Sequence, residues 1–480
     1  MRKYFSLFFL LLIATLMATA HSGKARFHVI IDTDGGLDDM RAITLLLAAK
    51  DVEVIGINCS DGVLSPQQSV SNIRALLRKY HHEGIPVLKD DAFLAEPPEI
   101  RGKISGILCP DVISNDNKQG EYSLEHLLMA EKEKITMVCL GSLNMPARLS
   151  RSVANFPEKL DLVVWFNEAR DIFHGMNYNF DPGAFEILSS SGTEILMITL
   201  PGTGEITLDH NFWEQVSEIP SRYALKLVQM HNSVEIQNAL PVGSVQVWDE
   251  LAALFLISPE DYDIIPNTAI EGIKLFQPKD PTVIKKLYAS SLQEKSPDFK
   301  VFKDLPSDPE YYFEDIRPFI GQIINERGLN EWRAGVLTNE LHGHLGIYAI
   351  IGMKMGVRAR EYFDIGLDDL HIFSNAGTTP PVSCMNDGLQ VSTSATLGHG
   401  LINVSPLDTP EASAIFSFKE YEVRISLKKE ISDKISKEVR YGVLQYGLES
   451  EEYWLYIRSL AIGYWADLDR NEIFEITIIN

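Results

Sequence analysis

Asp32, Asp34, Asp38 and Asp39 fall within residues 32–39, with Gly35 and Gly36 between them. One aspartate at such a place is an ordinary helix cap, and a helix dipole tolerates a second near its start. Four exceed both roles. Two carboxylates about 4 Å apart repel by roughly 4 kcal/mol at an effective dielectric of about 20. A hard divalent cation removes that penalty, and Ca2+ takes several carboxylate and carbonyl oxygens at once. The chemistry implied is a metal site, set against the plainer alternative of a solvated acidic turn.

The elements that must hold these acids follow from the flanking pattern. Phe27–Ile31 is a short apolar run that reads as a buried strand, and Met40–Ala49 reads as an apolar-rich helix. The two glycines permit the sharp connection between them. Strand-like runs follow at Val52–Ile57, Pro86–Leu88, Ile135–Leu140, Leu160–Phe166 and Ile195–Leu200, with helices over Gln67–Tyr80 and from Gly183. This alternation predicts an α/β fold, a mostly parallel sheet flanked by helices. Such sheets bind ligands at the carboxyl ends of their strands, where the aspartates lie. Further on, Trp248 and Asp249 stand at the head of an apolar helix within Val245–Ile257.

A chain of 480 residues is too long for one ordinary core, so a second, smaller α+β domain is expected. The formal charge of −23 and the lack of a Lys/Arg cluster argue against a nucleic-acid partner. Residues 1–20 have the layout of a secretory signal peptide: Arg2 and Lys3, an apolar core over Tyr4–Met17, then Ala18-Thr19-Ala20. Its removal leaves an exported protein, periplasmic or extracellular, with no membrane segment. Cys59, Cys109, Cys139 and Cys384 allow a disulfide, but their spacing names no pairing.

Lys279–Pro318 turns rich in Pro, Lys, Asp and Glu and reads as the end of the first domain and a linker. The expected division is a leader over 1–20, a first domain over 21–300, a linker over 301–319 and a second domain over 320–480. The second domain carries its own constellation. His342 and His344 flank Gly343 on a turn before an amphipathic helix that includes Ile347, Ile350, Ile351 and Met355. Cys384, Asp387 and His399 follow. Two histidines separated by one glycine on such a turn can converge on a single metal. Capping or surface histidines would look the same.

The run IIDTDGGLDD is similar to the signature of the nucleoside hydrolases, metal-dependent enzymes that cut the N-glycosidic bond of ribonucleosides. GSLNMPARL resembles the family's Gly-Pro-Leu-Thr-Asn stretch, NYNFDPGAFEIL its Asn-x-x-x-Asp-Pro segment, and VWDELAALF its His/Trp-Asp segment. The resemblance implies that Asp34, Asp39, Asp249 and the main-chain carbonyl of Asn144 hold Ca2+. It makes Asp34 the base that takes a proton from water, and places Asp38, Asn177 and Trp248 on the ribose and base. A small-molecule nucleoside or related ribosyl compound is then the partner, and the family's habit of assembly implies a homo-oligomer. Gly175 stands where many members carry a glutamate for the 5′ side of the sugar, and Trp248 stands in place of a histidine. INCSDG replaces a Gly-Asn pair, leaving Asp61 as substitute, and His174 is a nearby candidate acid. A non-catalytic, metal-dependent sugar- or nucleoside-binding protein stays open as the alternative. The second constellation resembles the FmdE domain of formylmethanofuran dehydrogenase, with Gly346 and Ala395 in place of two family cysteines. The resemblance leaves His342, His344 and Cys384 as three ligands of a tetrahedral Zn2+ with one open position, set against a decayed site in a domain that only packs or binds.

Overall fold

The structure, a computed structural model, describes residues 25–92, 98–99, 101, 123–202, 205–239, 244–266, 270, 272–293, 305–406, 409–448 and 450–479. The leader at 1–20 and Cys109 lie outside these residues. The chain divides into two compact units, Ala25–Lys295 and Ser296–Asn480.

In the first unit the apolar run becomes β1, Phe27–Thr33, buried almost throughout. Helix α1 spans Leu37–Ala48, so it begins three residues before the apolar pattern does. Asp38 and Asp39 therefore sit in its first turn, where backbone N–H groups and the helix dipole favour negative charge. From Asp39 to Ala48 every residue is buried, because the helix packs inside the unit rather than on its rim. Each of its fully buried leucines contributes roughly 1.5–3 kcal/mol through removal from water.

The sheet continues with β2 (Val52–Cys59), β3 (Val87–Lys89), β4 (Ile135–Cys139), β5 (Leu160–Phe166) and β6 (Ile195–Ile198). It is completed by β7 (Tyr262–Ile265) and β8 (Ile273–Pro278). The spatial order is β3-β2-β1-β4-β5-β6-β8-β7, with only the β7–β8 pair antiparallel. Strand β1 is thus central, and its carboxyl end is flanked by those of β2 and β4. Helices α2 (Pro66–Tyr80), α3 (Asn144–Ser152) and α4 (Glu250–Ile257) follow, α4 starting only after Asp249. Helix α5, Pro281–Ser291, lies in the stretch whose composition reads as domain end; it buries Ile284 and Tyr288.

The second unit is α+β. Five strands, β9 (His371–Ser374), β10 (Ile402–Val404), β11 (Ser413–Phe418), β12 (Tyr421–Leu427) and β13 (Phe474–Ile478), order as β10-β9-β11-β12-β13. All neighbours are antiparallel except β9 and β10. Helices α6 (Arg317–Arg327), α7 (Leu329–His342), α8 (Ile347–Phe363), α9 (Met385–Thr393), α10 (Lys429–Tyr446) and α11 (Glu451–Asp467) complete it. Within the expected linker, Ile316 is buried and Tyr312 packs on Trp332 at 5.1 Å between ring centroids.

Helix α8 is not amphipathic. Nearly all of it is buried, Lys354 included. The polar exception is satisfied internally: Lys354 Nζ donates to Glu331 at 2.5 Å and to the carbonyls of Trp465 and Leu468 at 2.9 and 2.8 Å. Among the described residues no helix is long and apolar enough to cross a membrane.

Candidate active site

At the carboxyl end of β1 the backbone turns into α1, and Asp39 holds that turn together. Its Oδ2 accepts the Gly36 N–H at 3.0 Å and its Oδ1 accepts Asp34 N–H at 3.2 Å and the Thr33 hydroxyl. Asp34 Oδ2 accepts the Val63 N–H at 3.1 Å, from the loop after β2. That loop comes close only because position 62 has no side chain: a Cβ on Gly62 would sit 2.3 Å from Asp34 Oδ2.

Asp249 arrives from the head of α4. Oxygens of Asp38, Asp39 and Asp249 lie within 4.8 Å of one another, and Asp34 is close enough to raise the Asp249 pKa. Asp34, Asp39 and Asp249 are buried and Asp38 is half-buried. Burial, then the neighbouring Asp39, holds the Asp34 carboxyl well above the usual carboxylate range. Burial, then Asp38, lifts Asp39 from 3.8 to about 6, and burial followed by Asp39 raises Asp249. Like charges are being held together out of water, and an all-oxygen donor set of this kind fits a hard cation.

Asp32 does not join them. Asn58 Nδ2 donates to its Oδ1 at 2.6 Å and the Ser60 hydroxyl to its Oδ2 at 3.3 Å. It belongs to a polar chain that continues through Asp90 to Arg148. Asn144 opens α3 with its side chain committed: Nδ2 donates to Asp181 at 2.6 Å and Oδ1 accepts from Arg148 at 2.9 Å. Only its carbonyl is left for the role implied by the sequence. Asn177 is buried, and its Nδ2 donates to the carbonyls of Leu140 and Phe166 at 2.7 and 3.1 Å. Both amide hydrogens thus tie strand ends together, which restricts a sugar contact to its Oδ1.

Trp248 is half-buried, with Nε1 donating to Gln246 Oε1 at 3.0 Å. Asp61 is not free to replace a sugar ligand, because Arg101 Nη2 donates to it at 2.7 Å. His174 is exposed and paired with Asp171 at 2.9 Å. Gly175 has φ +109°, and a Cβ there would meet Asn167 Oδ1 at 2.2 Å, so a glutamate is excluded by this packing.

Two features of the site carry no signal in the sequence pattern. Glu168, at the end of β5, brings a carboxylate to the N–H of Met176, immediately beside Gly175. Arg41 and Glu250 form a buried ion pair between α1 and α4. Glu250 is 209 residues from Arg41, so no local spacing points to that pair.

Residues 29–304 match the family model described as inosine-uridine preferring nucleoside hydrolase. The chain belongs to that family. It is a hydrolase acting on N-glycosyl bonds, and its family is metal-dependent. Among relatives of the nucleoside hydrolase unit, the pyrimidine-specific ribonucleoside hydrolase RihA of Shewanella oneidensis is 24% identical over 265 residues, 49% of this chain and 79% of that protein. The non-specific ribonucleoside hydrolase RihC of Salmonella paratyphi B is 25% identical, covering 49% of this chain and 80% of that one. A purine-preferring ribonucleoside hydrolase structure from Gardnerella vaginalis is 19% identical, covering 55% of this chain and 98% of its own, with a TM-score of 0.47. A plant nucleoside hydrolase, PpNRh1, is 18% identical over 56% of this chain and 99% of its own, with a TM-score of 0.48. Residues 341–460 match a second model, FmdE, molybdenum formylmethanofuran dehydrogenase operon.

In that second region His342 ends α7, and its Nδ1 lies 2.7 Å from Asp387 Oδ2. Asp387 and Cys384 are brought there because α8 and α9 cross backbone to backbone: a Cβ on Gly352 would lie 2.0 Å from the Met385 carbonyl, and one on Gly388 2.1 Å from that of Ala349. The neighbouring Cys384, and after it Asp387, raises His342 from 6.5 to about 9. The His344 ring stands 4.4 Å from that of His342. His342, His344 and Cys384 are not among the groups whose ligand atoms converge within 4.8 Å among the described residues. Nδ1 of His342 is engaged by Asp387, while its buried Nε2 has no hydrogen-bond partner among the described residues, which leaves that nitrogen for a ligand role. His399 turns to Ser394 and Asp368 instead.

Proposed function

We propose that the first unit is an exported, Ca2+-dependent N-ribohydrolase of nucleosides or a related ribosyl compound. The observation that carries this reading is the gathering of Asp249 with Asp38 and Asp39 across more than two hundred residues. Asp34, Asp39, Asp249 and the Asn144 carbonyl would hold the ion. When bound, it supplies the positive charge that makes a neighbouring water more acidic. Asp34, lifted by burial, takes that water's proton. The acidic wall then stabilises an oxocarbenium-like sugar. Asp38, at the half-buried edge, holds a ribose hydroxyl, and Trp248 offers an aromatic face to the base.

Glu168 favours turnover over mere binding, since it places a carboxylate beside Gly175, the position where the family's glutamate is missing. The test is ribose release from a panel of purine and pyrimidine nucleosides, with metal content measured on the same preparation. Activity that disappears on chelation and returns with Ca2+ supports the reading. Stoichiometric metal with no release from any N-riboside leaves only the binding protein.

For the second unit we propose Zn2+ at His344, Cys384 and His342 as the finer reading, favoured by the buried Nε2 of His342, which has no hydrogen-bond partner among the described residues. His342 can stay on Asp387 through Nδ1 and gives up only the proton on Nε2. Zinc retained by the full-length protein, and lost in a His342→Ala/His344→Ala double variant, tests it.

A further inference from the structure

The carboxylates of α1 and α4 repel one another, yet both helices hold them face to face. We propose that Arg41 and Glu250 are a positioning pair that presets Asp249 against Asp39, so that the pocket is assembled before a cation arrives. This rests on the reading of the acid pocket as a cation site.

Arg41 lies two residues beyond Asp39 on α1, and Glu250 directly follows Asp249. Arg41 Nε donates to Glu250 Oε1, and its Nη2 donates to the Gln246 carbonyl at 3.3 Å. One guanidinium therefore grips both sides of the turn 246–250. Within that turn Glu250 Oε2 accepts the Trp248 N–H at 2.9 Å, and Trp248 Nε1 donates to Gln246 Oε1 at 3.0 Å. The pair is out of water, with side-chain exposures of 6% for Arg41 and 0% for Glu250.

Asp249 itself has helical φ and ψ of −56° and −28° and makes no side-chain cap bond. Nothing in its own helix orients the carboxylate. The turn does, and the turn is held from α1. Directional charge-assisted bonds fix such a geometry where apolar packing alone would only hold the helices together.

The experiment separates positioning from folding. Arg41→Met alone leaves a buried carboxylate unpaired and is expected to lower both Tm and Ca2+ affinity. Arg41→Met/Glu250→Leu removes both charges, so most of the Tm returns. Ca2+ affinity in that double variant, read by calorimetry on chelator-stripped full-length protein, is expected to stay about tenfold or more below the parent, the scale of outer-shell losses. Its kcat falls while KM changes little. Arg41→Lys, which keeps the charge but not the fork, recovers affinity only in part.

Ca2+ affinity of the double variant within twofold of the parent overturns the pair's role. If the parent itself binds no Ca2+, the cation reading fails instead. The pair is then judged by ribose release, and a double variant within twofold of the parent overturns it. Should the double variant not fold, Glu250→Gln is the substitute, with the same thresholds.

Discussion

The acid pocket of the first unit, built of carboxylates, and the histidine–thiol cluster of the second hold their titratable groups in opposite electrical states. In the first, Asp34, Asp39 and Asp249 are buried with carboxylates as near neighbours, and each is pushed towards its protonated form. In the second, a carboxylate and a thiol both lie against one imidazole, and His342 is pushed towards its charged form. The first arrangement is short of positive charge. The second supplies its own. A site with three like-charged neighbours out of water carries a stronger functional message than one in which a single nitrogen, His342 Nε2, is left without a partner among the described residues.

The largest expected effect comes from removing the base while keeping the shape. Asp34→Asn should lower kcat by roughly 10²–10⁴-fold, the usual worth of a positioned general base. Asp249→Ala should abolish Ca2+ binding as well as ribose release. By contrast His342→Gln, in the other unit, should leave kcat/KM for nucleosides unchanged. A loss below about tenfold in Asp34→Asn would remove that residue from the chemistry and erase the contrast.

Metal removal probes the same contrast through stability. A carboxyl whose folded pKa is raised binds more protons folded than unfolded, so stability falls as pH rises through that interval. For Asp39 the interval runs from the ordinary 3.8 to about 6. Chelated protein should therefore lose Tm across that window, and Ca2+ should remove the slope. Ca2+ affinity should also weaken below about pH 6 as Asp39 takes up a proton. Parallel Tm profiles with and without Ca2+ would count against a cation in the pocket.

Glu168→Gln tests whether this carboxylate replaces the one missing at 175. The expected outcome is a rise in KM of about tenfold, the scale of one hydrogen bond to a charged group, with kcat less affected. No change in either constant would return Glu168 to a purely structural role at the Met176 N–H.

Much of the first site is legible from residues 27–49, because a buried strand, a glycine turn and an apolar helix are local signals. The run Leu160–Phe166 is a strand over those same residues. Other features depend on partners far away in the chain. Asp32 looks like its neighbours until Asn58 and Ser60 claim it. Arg41 carries no signal within that stretch, since its partner Glu250 is 209 residues distant. Helix α8 reads as amphipathic from the spacing of Ile347, Ile350, Ile351 and Met355, yet Lys354 is buried too. Its burial depends on Glu331 and on carbonyls from the end of α11 and the residues just after it. The short strands β9 and β10 escape the sequence pattern for the same reason, since pairing and not composition makes them strands, whereas Ile473–Ile479 reads as a strand and holds β13.

The smallest effect lies in the second unit. A histidine raised by hydrogen bonds contributes stability that is fully present below its unfolded pKa and is lost as pH rises through its folded one. For His342 that window runs from 6.5 to about 9. The group is partly exposed, so solvent screening reduces the contribution, and Tm should fall by only about 2 °C across the window. Asp387→Asn should shrink that pH slope without changing ribose release, and Cys384→Ser should shrink it further, since the thiol is the larger cause of the shift. If added Zn2+ raises Tm more at pH 9 than at pH 6, proton and metal are competing for His342. The cluster would then share with the acid pocket its need for an outside cation. An identical Zn2+ response at both pH values would leave it a self-satisfied structural knot.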